Sequence, residues 1–346
     1  MGLRILHSAD WHLDSPFSGF SPEQRLFLRQ QQRRLPGLIG DVLRRENCNL
    51  VLLAGDIFDG NPSRESINLL QSTFREWAVP VLIAPGNHDF CGPGSIWTEE
   101  AWPDNVHIFT GGLESVAFPE LDCRIYGAGY QSMDCAGLLE GFRIGGAEEY
   151  HVGLLHGDPL TANSPCCPIT AAQVRASGLN YLALGHIHKA GTFRAGDTLC
   201  AWPGCPMGRG WDETGSKGVC VVTLDETAEV KQVVLDTVRF YDHKAETGEL
   251  EDILPPVPNQ DFYRITLIGY GSVAVDDLQR QYTHIPNLQL IDRTEDAVDL
   301  WADAGEDTLR GVYFRRLREL SEEEPNAVLA AEISRKLLEG REVILP

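Results

Sequence analysis

A mostly apolar run, Leu3-Arg4-Ile5-Leu6-His7-Ser8-Ala9, leads directly into Asp10-Trp11-His12. Such a run predicts a strand that is buried on both faces, with Asp10 and His12 just past its carboxyl end. Four later apolar runs end in the same way, in Gly55-Asp56-Ile57-Phe58-Asp59, Gly86-Asn87-His88-Asp89, His156-Gly157-Asp158 and Gly185-His186-Ile187-His188. In layered α/β folds, ligands bind beyond the carboxyl ends of the strands. The five motifs therefore predict one functional site at a sheet edge.

The surrounding patterns predict an α/β arrangement. The strands that carry the motifs are predicted at 3–9, 49–54, 80–84, 150–155 and 180–184. Helices are predicted at 21–47, where Pro36 indicates a break or kink, and at 64–77. Alternating strands and helices are predicted as far as about residue 190, and further strands at 218–224 and 230–240. Such alternation is typical of α/β folds.

An acidic, proline-rich stretch divides the chain into two predicted domains. Residues 246–258 end in Pro255-Pro256-Val257-Pro258 and are predicted to link a first domain at 1–245 to a second at 259–346. The predicted elements of the second domain are strands at 262–268 and 288–292 and helices at 275–282, 306–320 and 325–340. We therefore expect a small α+β unit at the C-terminal end.

Charge and cysteine content exclude several classes of protein. The net charge is −21, so strong DNA binding by the chain alone is not expected, and a basic partner or a local arginine patch would have to supply the attraction. No stretch resembles a transmembrane helix, and the early first strand leaves no room for a signal peptide. The nine cysteines include no C-x-x-C pair, which disfavours a cysteine zinc site. They predict free thiols in a reducing, cytoplasmic setting.

The donor types in the motifs predict a pair of divalent metal ions. Carboxylate, amide and imidazole groups form a mixed oxygen and nitrogen pocket, which suits phosphoester hydrolysis by a metal-activated water. Two metals about 3.5–4 Å apart need a bridging carboxylate, and Asp56 is the best candidate because it ends a central strand. One ion is then expected to bind Asp10, His12, Asp56 and His188, and the other Asp56, Asn87, His156 and His186.

His88 follows a predicted ligand and is expected to act on the substrate. It is predicted to donate a proton to the leaving oxygen or to contact the phosphate. A carboxylate should hold its other ring nitrogen, and both Asp59 and Asp89 qualify. Asp89 is equally well explained as a turn cap.

Other polar and aromatic residues have competing explanations. Arg209 is a candidate substrate-binding residue, and Phe17 and Trp211 could stack on bases, although packing is the commoner role for such residues. Asp158 either takes part in the site or holds the His156 loop. The arginines at 310, 315, 316 and 318 could meet DNA or a partner, but pairing with Glu306, Asp307 and Glu319 on a solvated helix is more common.

The combination D-x-H, G-D-x-x-D, G-N-H-D, H-G-D and G-H-x-H resembles the signature of calcineurin-like metallophosphoesterases. Within that superfamily the chain is similar to the SbcD group of DNA-repair nucleases. The stretch Asp10-Trp11-His12-Leu13-Asp14-Ser15-Pro16-Phe17 most resembles the YhaO-type branch. Pro203-Gly204, Gly208-Arg209 and Glu213-Thr214-Gly215 support the same branch. The resemblance covers roughly residues 1–240 with specific motifs.

This resemblance implies a four-layered αββα fold, two Mn²⁺ ions, and 3′→5′ exonuclease and single-strand endonuclease activity. It also implies DNA as substrate, a coiled-coil ATPase of the SMC or SbcC type as partner, and a C-terminal capping domain; a homodimer is a further expectation. Archaeal and eukaryotic members carry His where this chain has Asp59. Protein phosphatases have Asp there, paired with the histidine that corresponds to His88, which assigns Asp59 to orient His88.

Two other functions remain open at this stage. The same site could serve a phosphodiesterase or phosphatase that acts on nucleotides or phosphoproteins. The fold could instead be a non-enzymatic scaffold, although a scaffold has no need for a complete ligand set. Metal content after purification separates the scaffold from the enzymes.

Overall fold

The computed structural model describes residues 2–269, 271, 273–295, 299–324 and 326–340. Its strands are β1 (Leu3–Ser8), β2 (Leu50–Leu53), β3 (Val81–Ile83), β4 (Val106–Ile108), β5 (Glu114–Phe118), β6 (Cys123–Gly127), β7 (Tyr150–His156), β8 (Tyr181–Gly185), β9 (Gly191–Ala195), β10 (Thr198–Trp202), β11 (Gly218–Leu224), β12 (Ala228–Val234), β13 (Phe240–Ala245), β14 (Phe262–Leu267) and β15 (Leu288–Asp292). Its helices are α1 (Pro22–Arg45), α2 (Arg64–Trp77), α3 (Ile96–Glu99), α4 (Ala171–Ser177), α5 (Leu250–Ile253), α6 (Val275–Gln281), α7 (Leu309–Leu320) and α8 (Asn326–Leu338). Among the described helices, none combines the length and apolar character needed to span a bilayer.

Two six-stranded sheets carry the five motifs. The first has the order β12-β11-β1-β2-β3-β4, and the second the order β5-β6-β7-β8-β10-β9. Strands β1 to β4 run parallel to one another, as do β6, β7, β8 and β10. The carboxyl ends of parallel strands meet at one edge of a sheet. This edge therefore gathers the loops after β1, β2 and β3 in one sheet and after β7 and β8 in the other.

The two sheets pack face to face between outer helices. Alternate residues of each strand point to opposite faces, so Ile5 and Leu52 meet Val152 and Ala183 in the core between the sheets. Leu6, Val51 and Leu53 pack on the other face of the first sheet with side chains of α1 and α2. Leu182 and Leu184 pack outward with Val174 of α4. The order of layers is therefore αββα, and the expected fold class is confirmed.

The five motif-bearing strands are all present and buried on both faces. Their ends differ from the predicted ends by a single residue, and every residue of β7 is buried. Of the break or kink predicted at Pro36, the break is wrong, because α1 is continuous from Pro22 to Arg45. Proline removes one helical hydrogen bond. The buried positions Leu35, Ile39 and Leu43 hold the helix against the sheet on both sides of it.

Two further predictions are wrong. A single strand is expected at 230–240, but β12 ends at Val234 and β13 begins at Phe240. Leu235 and Val238 are buried in a loop, so the apolar run continues for packing and not for strand pairing. Strand–helix alternation is also interrupted, because β4 to β7 follow one another with only a short 3₁₀ turn at Pro119–Leu121 between them, and it resumes with α4 between β7 and β8.

The described residues form two compact units. The first unit contains the described residues within Met1–Asp242, Pro258–Arg264 and Ile285–Leu288. The second unit contains the described residues within His243–Val257, Ile265–His284 and Gln289–Pro346. Strands β13, β14 and β15 form a three-stranded sheet. The division at residues 246–258 stays a prediction.

Three of the four arginines of helix α7, in the second unit, have acidic or backbone partners. Arg310 Nε donates to Asp303 Oδ2 at 2.6 Å, and Arg316 Nη1 donates to Glu319 Oε2 at 2.8 Å. Arg315 Nη2 lies 3.4 Å from the backbone oxygen of Glu306.

Candidate metal centre

The loops after the strands have a backbone conformation that most side chains avoid. Asp10, His12, Asp56 and His186 all have positive φ angles, of 55°, 47°, 51° and 89°. Non-glycine residues rarely adopt this region, and where they do they mark strained functional loops. Hydrogen bonds between loops hold the conformation, with Asp10 N donating to Gly55 O at 3.0 Å and His12 N to Asp56 O at 2.9 Å.

Glycines make room for the convergent side chains. A Cβ atom at Gly55 would lie 2.6 Å from Nδ1 of His156, and the residue also has a φ of 83°. A Cβ at Gly185 would collide with the carbonyl oxygen of Ala54. The loops after β2 and β8 therefore approach the site only because no side chain intervenes.

One group of donors comes from β1 and β8. Nε2 of His12 lies 3.2 Å from Nε2 of His188. Oδ2 of Asp10 is buried and has no hydrogen-bond partner among the described residues. The ligand atoms of these three residues lie within 4.8 Å of one another. Two facing imidazole nitrogens and a bare carboxylate oxygen are a set that a divalent cation satisfies.

A second group of donors surrounds Asp56. Its Oδ2 lies 3.4 Å from Nε2 of His156 and 3.7 Å from Nε2 of His12. Nε2 of His156 is also 3.0 Å from Oδ1 of Asn87, whereas Nδ1 donates to Ala54 O at 2.8 Å. This backbone bond leaves the lone pair of His156 on Nε2, facing the other donors. Asp56 thus reaches both groups.

His186 lies beside this second group. Its ring centroid is 5.3 Å from that of His156, in an edge-to-face arrangement. Its backbone N–H donates to Oδ1 of Asp10 at 3.0 Å. The structure thus brings together all seven predicted ligands, which are Asp10, His12, Asp56, Asn87, His156, His186 and His188.

The electrostatics of the pocket favour positive charge. Burial alone would lower the pKa of His156, but the carboxylates of Asp56 and Asp10 raise it to about 9. Burial alone would raise the pKa of Asp56, but His156 and His12 hold it well below its usual range. A pocket that draws a proton onto a fully buried imidazole is suited to bind cations.

His88 and Asp59 form a pair at the exposed side of the pocket. Nδ1 of His88 lies 2.9 Å from Oδ1 of Asp59, and this hydrogen bond raises the pKa of His88. Ser15 Oγ donates to Oδ2 of Asp59 at 2.9 Å, and the imidazoles of His12 and His88 keep the pKa of Asp59 well below its usual range. Because Nδ1 of His88 is engaged, Nε2 is the nitrogen left to face a substrate.

The two carboxylates with open roles bind backbone groups. Asp89 accepts hydrogen bonds from the N–H groups of Gly86, Asp56, Ile57 and Phe58, at 2.8 to 3.3 Å. Burial and the nearby Asp56 carboxylate raise the pKa of Asp89 to about 7. It therefore ties the β2 loop to the β3 loop, and Asp59 is the carboxylate that lies at Nδ1 of His88. Oδ1 of Asp158 accepts from the N–H groups of Leu160 and Thr161 and closes a turn after His156.

Two supporting residues are not predicted by the sequence motifs. Glu213 is buried, and its Oε1 lies 2.6 Å from Nδ1 of His188, which leaves Nε2 of His188 for the pocket. Gln32, on the buried face of α1, donates to the backbone oxygen of His12 at 2.7 Å. A glutamine among apolar helix positions is a usable signal for Gln32, whereas nothing local links Glu213 to His188.

Arg209 lies at the rim of the pocket. Its Nη2 donates to Oε1 of Glu213 at 2.8 Å, and its Nη1 lies 4.0 Å from Oδ2 of Asp59. Trp211 packs against Phe20 and Phe240, and the guanidinium of Arg264 covers its ring at 4.9 Å. Phe17 is buried. Arg209 is the one of the three candidate substrate contacts that faces the site.

Comparison with known proteins agrees with this geometry. The family model for the calcineurin-like phosphoesterases matches residues 3–190. The uncharacterized metallophosphoesterase YhaO of Bacillus subtilis is 37% identical over 238 residues, which cover 64% of this chain and 57% of that protein. The match to YhaO thus spans little more than half of that protein's length.

The SbcD component of the nuclease SbcCD is a second kind of relative. The protein from Bacillus subtilis is 24% identical over 287 residues, covering 68% of this chain and 70% of that protein. The protein from Rhodobacter capsulatus is 36% identical over 95 residues, covering 25% of this chain and 22% of that protein.

Proposed function

The chain belongs to the calcineurin-like phosphoesterase family, and we propose that it is a Mn²⁺-dependent DNA nuclease. The proposed activities are 3′→5′ exonuclease and single-strand endonuclease, in DNA repair. The observation that carries the proposal is the double donor set around Asp56, together with the likeness to the SbcD component of the nuclease SbcCD over 68% of the chain. Members of this family are hydrolases that use dinuclear metal sites, which fits those donors.

The proposed ligand roles follow from the two donor groups. Asp10, His12 and His188 would hold one metal ion; Asn87, His156 and His186 would hold the other; and Asp56 would bridge them. When bound, two such ions supply a water of lowered pKa and neutralise charge on the phosphoryl oxygens.

The chain's own residues then complete the reaction. Asp59 accepts a hydrogen bond from Nδ1 of His88 and so orients the ring with Nε2 toward the leaving oxygen. His88 then donates the proton on Nε2 to that oxygen. The hydrogen bond to Asp59 raises the pKa of His88 and so favours the protonated ring that this step needs. Arg209, held by Glu213, is proposed to contact a phosphoryl oxygen of the substrate.

The charge of the chain bears on its partners. A net charge of −21 opposes binding to a polyanion, so we propose that DNA is engaged with the help of an SMC-like coiled-coil ATPase. A cytoplasmic location fits the nine free cysteines. A homodimer, with DNA single strands or 3′ ends as substrate, completes the proposed assembly.

The same negative charge favours a second candidate. Small phosphoesters are repelled less strongly than DNA by an acidic surface. We therefore retain a phosphodiesterase or phosphatase that acts on nucleotides or phosphoproteins.

A cleavage assay separates the two. The chain is incubated with single-stranded and 3′-ended duplex DNA in Mn²⁺, Mg²⁺ or EDTA, with His88→Ala as control. Mn²⁺-dependent cleavage that is lost in the variant is the expected result. If DNA stays intact while chromogenic bis-phosphate or mono-phosphate esters are hydrolysed, the nuclease proposal is wrong and the second candidate holds.

A further inference from the structure

Two of the nine cysteines differ from the rest in exposure. Seven are buried, whereas Cys135 and Cys166 are partly exposed. The two lie opposite each other in an isolated parallel β-bridge. Cys167 follows directly, so three thiols occupy one small region beside the His156 loop.

The backbone holds this region in a defined geometry. Cys135 N donates to Pro165 O at 2.8 Å, and Cys167 N donates to Cys135 O at 2.7 Å. This second hydrogen bond places the backbones of Cys135 and Cys167 side by side, as a disulfide requires, since it joins residues whose Cα atoms are about 4.4–6.8 Å apart. Cys167 has a left-handed backbone, with a φ of 46°, and the thiols of Cys135 and Cys167 are close enough to shift each other's pKa.

The chemical environment distinguishes Cys135 from the other thiols. The hydrogen bond from Cys167 lowers the pKa of Cys135. Burial raises the pKa of Cys91 and of Cys220 to about 12. An accessible thiol of lowered pKa beside a second cysteine is the arrangement that oxidants attack first.

Tyr130 connects the thiols to the metal centre. Its ring meets the ring of His156 edge to face, with centroids 5.4 Å apart. Its hydroxyl is buried without a hydrogen-bond partner among the described residues, and it is close enough to the three cysteines to interact with them electrostatically. The backbone oxygen of Cys166 also accepts from Asp158 N at 3.0 Å. A change at the thiols is therefore expected to affect His156 in two ways, through the ring of Tyr130 and through the loop that contains Asp158.

We propose that Cys135 and Cys167 form a peroxide-sensitive pair that closes to an intramolecular disulfide next to the metal centre. The Cys135 thiolate attacks hydrogen peroxide, which forms an S–O bond, breaks the O–O bond and releases hydroxide. The Cys167 sulfur gives up its proton and attacks the resulting sulfenic acid, which forms the S–S bond and releases a second hydroxide. Two thiols and one peroxide thus yield one disulfide and two waters.

The disulfide is expected to weaken the metal centre. Closing the S–S bond draws Cys167 toward Cys135 and shifts the packing around Tyr130, which supports the ring of His156. Disturbing the outer contacts of a metal-binding histidine costs about 10- to 100-fold in affinity or activity. We expect a reversible loss of about tenfold, the lower end of that range. This consequence rests on the proposed function, but formation of the disulfide does not.

Peptide mapping tests the bond itself. The reduced full chain is treated with hydrogen peroxide, alkylated and digested with trypsin, which places Cys135 in peptide 125–143 and both Cys166 and Cys167 in peptide 144–175. A linked pair of these peptides is expected in the natural chain and in Cys166→Ser, but not in Cys135→Ser or Cys167→Ser. Because Cys135 is half-buried, Cys135→Ser tests the bond even if Cys167→Ser fails to fold. A bond within peptide 144–175, or a linked pair that persists in Cys167→Ser, overturns the proposal.

A second measurement tests the coupling to the metal centre. Mn²⁺ affinity and hydrolysis of a chromogenic phosphoester are compared before oxidation, after oxidation and after dithiothreitol. In the natural chain and in Cys166→Ser, Mn²⁺ affinity and hydrolysis are both expected to fall on oxidation and to recover after dithiothreitol. In Cys135→Ser, oxidation is expected to change neither. If the disulfide forms but Mn²⁺ affinity does not change, the coupling is wrong. If Mn²⁺ affinity falls on oxidation in a chain that cleaves neither DNA nor a small phosphoester, the coupling stands and the proposed function fails.

Discussion

The two edges of the sheet sandwich are both polar, but the cluster of buried carboxylates and imidazoles lies at the carboxyl edge. At the carboxyl edge, Asp10, His12 and His156 are 0% exposed. At the amino edge, a cavity of about 980 Å³ is lined by exposed side chains that include Asn49, Glu149 and Asp225. Water satisfies exposed groups, whereas buried ones need partners. Among the described residues, every group of three side chains spaced to hold a metal lies at the carboxyl edge.

Backbone strain alone does not distinguish the edges. Positive φ angles occur at Asn47 and Asp122 near the amino edge, as they do at His12 and His186 near the carboxyl edge. Asn and Asp tolerate this region and use it to turn the chain. Histidine is also enriched in this region. A left-handed residue is therefore informative only where other buried donors surround it, as they do at His12.

The largest effect is expected at the carboxylate that reaches both donor groups. Asp56→Ala should lower phosphoester hydrolysis by about 10⁴-fold, because several kcal/mol of charge stabilisation disappear with the bridged ions. Metal content measured by elemental analysis should fall at both positions. Asp225→Ala, at the amino edge, is the matched control and should leave both readings unchanged. Two ions retained in Asp56→Ala would contradict the bridging role.

The next effect concerns proton donation without loss of metal. His88→Ala should lower turnover by about 10³-fold, within the range of general acid catalysis, while metal content stays that of the natural chain. Asp59→Asn should show a smaller loss and a displaced pH–rate profile, because the hydrogen bond that raises the pKa of His88 is weakened. Loss of both ions in His88→Ala would show that His88 is a ligand instead.

A smaller effect is expected one contact further out, at Glu213. Glu213→Ala removes the acceptor for Nδ1 of His188 and should weaken metal affinity by about 10- to 100-fold. Glu213→Gln keeps an acceptor oxygen and should recover most of that affinity, as measured by Mn²⁺ titration. Equal affinity in Glu213→Ala and the natural chain would rule out the positioning role.

The smallest effect concerns stability in acid, at the pair Arg124 and Glu148. Two hydrogen bonds of 3.0 and 2.7 Å from Arg124 lower the pKa of Glu148 to about 2. A lowered folded-state pKa stabilises the fold above the unfolded-state pKa, and the stabilisation is lost as pH falls through the folded value. The difference in free energy of unfolding between the natural chain and Glu148→Gln, measured by urea denaturation, should therefore shrink as the pH falls from about 5 to about 2. A gap independent of pH would contradict this explanation.

Much of the candidate site could be predicted because its ligands sit within local motifs. Each motif follows a strand with a clear apolar pattern, so its place at the carboxyl edge can be inferred before any contact is known. The motifs alone leave the partner of His88 open between Asp59 and Asp89, and the assignment to Asp59 came from the family resemblance. The fold shows Asp89 bound to four backbone N–H groups and Asp59 bound to His88.

The sequence by itself determined the strands, the donor types and their common sheet edge, since apolar periodicity and strand ends are local properties. Tertiary structure decided which distant groups meet. Glu213 reaches His188, Gln32 reaches the backbone of His12, and Cys135 meets Cys167. These contacts join residues from separate loops, and each depends on how the layers pack. Packing is a property of the whole chain, so a local pattern can mark a residue such as Gln32 as unusual but cannot identify the group that it meets.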